Sequence, residues 1–198
     1  MAKGRPRAFD TETALDQALY LFWRKGYEGT SISDLTEAMG INAPSLYKAF
    51  GNKEQLFIRI LDRYAEGPAA YMIEAFQQPT ARKMIEALLY GAARATTDPA
   101  TPGGCLTIHG ALSTGEAGQT VKHELDVRRA GGETAMRERF KQAQAEGELP
   151  GDVDAADLAA FYSTIFQGLA VQGGAGASET KLRRVVDLAL QLWPGSAQ

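Results

Sequence analysis

A chain of 198 residues with 44% hydrophobic and 23% charged residues can bury a real core, and its balance excludes a disordered or fibrous protein. No apolar run approaches the ~18 residues of a spanning helix and no signal-like core follows the basic start, so a cytoplasmic protein without a membrane partner is expected. One cysteine and two histidines exclude an internal disulfide and leave no basis for a structural zinc site or another cofactor.

The net charge of −3 is unevenly spread: residues 1–63 carry +1 and the rest −4. Lys3, Arg5 and Arg7 precede the first acid. They form a cationic arm suited to a phosphate-lined groove, although the same run read alone is equally a solvated terminus.

The first helix starts at Phe9-Asp10-Thr11-Glu12, where Asp10 caps, Phe9 staples onto Ala14 and Glu12 sits near the positive helix end. Leu15, Ala18, Leu19 and Phe22 then share one face, and Gly26 closes the helix. Ser31-Ile32-Ser33-Asp34 is a capping box that opens a second helix ending at Met39, because Gly40 supplies a left-handed stop. Asn42 caps a third helix over about Ala43 to Phe50. Its Leu46 and Phe50 face inward, leaving Ala43, Pro44, Ser45, Tyr47 and Lys48 for a partner. Asn52 to Gln55 is a further capping box, and Lys53 at that helix start joins an ammonium to free amides and the helix dipole, a phosphate site. Two short helices around a glycine turn are also a common packing device. The supporting helix, the arm and Lys53 together point to double-stranded DNA.

Beyond residue 80 the stretches lengthen. The pattern predicts helices over Thr80 to Thr97, around Leu106 to Leu112, as one long helix over Val121 to Glu146 in which Gly131-Gly132 allow a bend or break, over Asp152 to Gln172, and over Ser178 to Trp193 before Pro194. No phosphate loop, nucleophile elbow, His-Glu-x-x-His or metal-ligand spacing occurs, so no catalytic residue is assigned. A helical interaction module without DNA is the remaining rival, and it leaves the arm and Lys53 without a purpose.

Gly29-Thr30-Ser31-Ile32, Asp34-Leu35, Gly40-Ile41-Asn42, Ser45-Leu46-Tyr47, Phe50 and Lys53-Glu54-x-Leu56 together resemble the DNA-binding domain of the TetR/AcrR family, over roughly residues 9 to 62. The resemblance implies an all-α protein: a three-helix helix-turn-helix head at 1–51, a connecting helix and linker at 52–78, and a larger ligand-binding and dimerisation domain at 79–198. It implies a homodimeric regulator, usually a repressor, that reads a near-palindromic operator and is released by a small-molecule effector. By that likeness Tyr47, Lys53 and Ser31 or Ser33 contact phosphates, while Ala43, Pro44, Ser45 and Lys48 face the major groove. Thr36 and Pro44 depart from the small residues frequent at those places, which puts base preference in doubt.

The same likeness favours an effector pocket lined by Tyr64, Met84, Leu88, Cys105, His109, Met136, Phe140 and Phe161, although ordinary packing explains such residues equally. It also favours a four-helix dimer interface made by Leu158, Tyr162, Ile165, Leu169, Leu182, Val185, Val186 and Ala189, against a reading of the same stripes as core. Gly103-Gly104-Cys105-Leu106 resembles a segment in branches of the family that sense electrophiles or oxidants; a buried thiol used as apolar filler is the alternative.

Overall fold

The computed structural model describes residues 9–113 and 118–195, whose regular structure is entirely helical. Lys3, Arg5 and Arg7 lie outside the described residues. A head of α1 (Thr11–Lys25), α2 (Ile32–Met39) and α3 (Ala43–Phe50) leads through α4 (Lys53–Glu66) and α5 (Ala70–Phe76) into the body. The body holds α6 (Ala81–Ala95), α7 (Leu106–Ser113), α8 (Gln119–Ala145), α9 (Ala155–Gly174) and α10 (Glu179–Gln191).

Side-chain caps set most helix starts. Asp10 accepts from the Glu12 amide at 3.0 Å, Asn42 from Ser45 at 2.9 Å, and Asn52 and Gln55 satisfy one another's amides. Thr80, Asp154 and Ser178 do the same in the body. Each such cap contributes on the order of 1 kcal/mol by pairing an amide that the helix leaves open. The seven-residue α5 has no side-chain cap, and no expectation covered it.

Phe22, Leu35, Leu46, Phe50, Leu56, Phe57 and Ile60 form the centre of the head. The Phe57 ring meets Phe22 edge-on at 5.0 Å and Tyr27 at 5.1 Å. The first half of α4 is therefore part of the head core, not a bare connector. Its second half continues the same apolar cluster through Leu61 and Tyr64 to Cys105, Leu106, Val121 and Leu125 of the body. Arg63 clamps this helix to α1 through Asp16, at 2.6 Å, and Glu12.

A second core lies among α6, α8, α9 and α10, where Phe140, Tyr162 and Trp193 pack ring against ring at 5.8–6.3 Å. The expected single long helix is present: α8 runs unbroken from Gln119 to Ala145, through Gly131-Gly132. Glycine costs a helix about 1 kcal/mol per residue. Burial of Val121 and Leu125 on one side and Met136 and Phe140 on the other outweighs that cost.

The terminal helices correct the interface expectation. Tyr162, Leu169, Leu182, Val186 and Ala189 are buried within the single chain, and the Tyr162 hydroxyl donates to the Ala189 carbonyl at 3.3 Å. They hold α9 to α10 and are closed to a second subunit. Leu158 and Ile165 are half-buried against the same core. Only Val185 of the expected set is exposed, and it is joined by Leu188 of α10 at 63% and Leu192 at its C-terminal cap at 68% exposure, with Val171 exposed on α9. The apolar arc of α10 is wide enough for two neighbours, and periodicity alone merged the inner and outer halves.

Candidate nucleic-acid interface

Gly40, with φ of 64°, ends α2 in the left-handed conformation, and the Ile41 amide closes back on the Thr36 carbonyl at 3.1 Å. That turn directs α3 across α2. Leu46 and Phe50 of α3 are buried in the head, and Phe9 packs on Phe50 with ring centroids 6.0 Å apart. The opposite side of α3 is open: Tyr47 is 50% exposed, Pro44 and Lys48 are exposed, and Ala43 and Ser45 are partly so.

Around α3 the two flanking helix starts differ in charge. The Ser31 hydroxyl accepts from the Asp34 amide at 3.0 Å and donates to the Asp34 carboxylate at 2.6 Å, so it is committed to the capping box. Lys25 at 2.7 Å and Ser31 hold the Asp34 carboxyl well below the usual range, so a full negative charge stays beside this helix start. Ser33 is exposed. At the start of α4 the Lys53 ammonium lies 4.3 Å from the centre of the Tyr27 ring. Partial burial lowers its pKa, yet Glu28 and Asp34 favour the charged form. A cation resting on an aromatic face is positioned rather than free to sweep, which suits a fixed phosphate contact.

The body contains a cavity of about 280 Å³ bounded by α4, α5, α6, α7, α8 and α9. Of the expected pocket residues, Tyr64, Leu88 and Met136 line it. Met84 and Phe140 are fully buried in the second core, and Phe161 packs edge-on against Tyr162 at 5.0 Å, so these three fill space between helices. Cys105 is fully buried with Sγ 3.1 Å from the Thr107 hydroxyl, and His109 abuts Gly104 and Gly174; neither reaches the lining, although Thr107 and Ile108 do. Sequence reasoning missed the polar wall of Arg128, Arg129, Glu133, Ser163 and Gln167. Charged residues on a helix read as a solvated face, and only the neighbouring glycine pair marked this stretch as unusual.

Comparison with known proteins places these features. Residues 14–60 match the family model described as bacterial regulatory proteins, tetR family, and residues 81–189 match the tetracyclin repressor-like C-terminal domain. The chain is 39% identical over 198 residues to the HTH-type transcriptional repressor ComR of Escherichia coli (strain K12), covering 98% of this chain and 93% of that one. It is 29% identical to the uncharacterized HTH-type transcriptional regulator YezE of Bacillus subtilis (strain 168), covering 96% and 98%. Among solved structures, a cysteine mutant of the TetR family transcriptional regulator CifR, complexed with 26-bp double-strand operator DNA, is 40% identical. Its TM-score is 0.90 over 96% of this chain and 100% of that one. With both halves matched and a curated relative similar over nearly its whole length, the chain belongs to the TetR family, a class of helix-turn-helix transcriptional regulators and not of enzymes.

Proposed function

We propose that the protein acts in the cytoplasm as a homodimeric repressor that holds a near-palindromic operator and is released when a small molecule enters the body cavity. The observation that carries this reading is the two-sided α3, with Leu46 and Phe50 sealed in the head and Tyr47 and Lys48 turned outward. An α-helix presented in this way fits the major groove of B-DNA.

In this reading Lys53 and Tyr47 hold phosphates, and Ser33 assists at the start of α2. Ser31 holds the start of α2 in place and contacts no phosphate, since its hydroxyl and its backbone amide both serve the cap. Ala43, Pro44, Ser45 and Lys48 face base edges, and Lys3, Arg5 and Arg7 supply a cationic arm. The exposed apolar side of α10 with Val171 pairs the two subunits, setting the α3 helices about one DNA turn, ~34 Å, apart. The likeness to ComR and to the operator-bound CifR supports repression and DNA as the partner.

The test is a binding titration of the purified protein against the DNA flanking its own gene and against random DNA of equal length. Salt-dependent preference for the flanking fragment, lost in Tyr47→Ala with Lys48→Ala, is expected. Equal binding of both fragments by the wild type would refute the reading.

A further inference from the structure

We propose that the body cavity takes a lipophilic cation, an aromatic body of about two fused rings held inside it with an ammonium group at the mouth beside Glu133. This rests on the reading of the cavity as an effector site and adds the chemistry of the occupant.

The interior sets the body of the ligand. The cavity of about 280 Å³ is roughly twice the ~150 Å³ that houses one benzene ring. Leu61, Met72, Leu88 and Met136 line it with apolar groups, which favours a ligand that leaves water readily. Tyr64 of α4, Phe76 of α5 and Phe166 of α9 add aromatic rings. Among the described residues, protein cations lie over the rings of Tyr27, Phe50 and Tyr90 and over none of these three. A ring face attracts positive and repels negative charge, so such a lining accepts an ammonium more readily than a carboxylate.

The α8 wall sets the charge. Arg129, Gly132, Glu133 and Met136 recur at helical spacing and all border the cavity. Residues Ala130 to Ala135 are all exposed, so the wall meets solvent along this turn. The two guanidiniums on the wall are already matched, Arg128 by Asp62 at 2.6 Å and Glu124 at 2.7 Å, and Arg129 by Asp126. Glu133 has neither an ion-pair nor a hydrogen-bond partner among the described residues, and Arg137, one turn further on, is paired with Glu138 at 3.2 Å. Two guanidiniums thus stand against the four carboxylates of Asp62, Glu124, Asp126 and Glu133. A cation at this mouth gains a partner that the chain does not supply, and an anion meets surplus negative charge. Glu133 is exposed, so water screens the pairing and the preference amounts to a few fold.

The probes are 2-naphthylmethylamine, protonated at neutral pH, 2-naphthylmethanol and 2-naphthoate, titrated calorimetrically into the full-length protein without DNA. At low salt the ammonium should bind about fivefold more tightly than the alcohol, and the carboxylate most weakly. Raising the salt to about 0.5 M should shrink that advantage. Glu133→Gln should erase it while binding of the alcohol persists. Methionine-methyl NMR locates the bound rings: the methyls of Met72 and Met136, on the lining, should shift most, and that of Met39, in the head core, least. Equal affinity for ammonium and alcohol at low salt, tightest binding of the carboxylate, an advantage that survives high salt or Glu133→Gln, shifts that spare both Met72 and Met136, or no binding at all would overturn the proposal. Operator release is measured in parallel. An ammonium that binds with these preferences and leaves the DNA complex intact supports the Glu133 mouth and refutes effector release; release by ammonium and alcohol alike, unaltered in Glu133→Gln, does the reverse.

Discussion

Arg128 of α8 reaches Asp62 of α4, with Nη2 2.6 Å from Oδ1, while its Nε holds Glu124 of its own helix at 2.7 Å. The contact joins the cavity wall to the helix whose first turn carries Lys53 and whose Leu56, Phe57 and Ile60 are sealed in the head core. Under the proposed function, a shift of α8 on ligand entry would be passed through this contact to the helix that carries Lys53. Arg128 is 27% and Asp62 57% exposed, so the pair adds at most about 1 kcal/mol to stability, and its value lies in registering one helix on the other.

Asp62→Asn should leave ligand-free operator affinity within about threefold, because the head core is untouched, yet shrink the ligand's effect on operator affinity by about fivefold. Anisotropy titrations with and without a cavity ligand check this. An unchanged ratio would move the coupling to the apolar contacts around Leu61 and Tyr64.

Lys53→Ala should weaken binding to operator and random DNA alike and flatten the dependence of log K on log salt by about one unit, the signature of one lost phosphate contact. Lys48→Ala should also alter the ratio between the two DNAs if its side chain reaches base edges. Titrations at three salt concentrations separate the two effects.

Leu188→Glu with Leu192→Glu should convert the dimer to monomer in sedimentation velocity while the helical circular dichroism stays constant, since both side chains are exposed in the single chain. Leu182→Glu should instead lose helical signal at lower temperature, because that position is buried between α10 and its neighbours.

Gly91 of α6 lies under the Tyr71 ring, and a Cβ built there falls 2.4 Å from Tyr71 Cδ2. Gly91→Ala gains helix propensity but displaces the ring, at a net cost of about 1–3 kcal/mol. A thermal melt should drop by about 2–4 °C per kcal/mol for a domain of this size.

Acid should weaken the head in a defined sense. Arg63 at 2.6 Å holds Asp16 below its ordinary pKa of 3.8, and Lys25 with Ser31 holds Asp34 further below it. A carboxyl whose folded pKa is depressed stabilises the fold above its ordinary value, and that contribution disappears as pH falls through the folded value. Asp16→Asn with Asp34→Asn should thus reduce stability near neutrality and flatten its decline below pH 3.8. Urea midpoints measured from pH 7 to pH 2 test the slope.

The head was legible because its signals are local. Ser31 and Asp34, Asn42, Asn52 and Gln55 lie within one turn of the amides they serve, and Gly40 punctuates the chain without help from distant residues. The body was less so. The apolar side chains of Met84 and Phe140 do not announce whether they line a void or fill one, and only the arrangement of α6, α8 and α9 makes them filler.

From the sequence alone came the caps, the helix-turn-helix, the inward Leu46 and Phe50, and the family resemblance, all carried by spacings shorter than two helical turns. Tertiary structure alone decided that Tyr162 and Leu182 belong to the chain's own core while Leu188 and Leu192 are left over, and that Arg128 and Arg129, partly exposed, also border a cavity. The physical reason is that helical periodicity tells which residues share a face, whereas what covers that face depends on helices brought together from far along the chain.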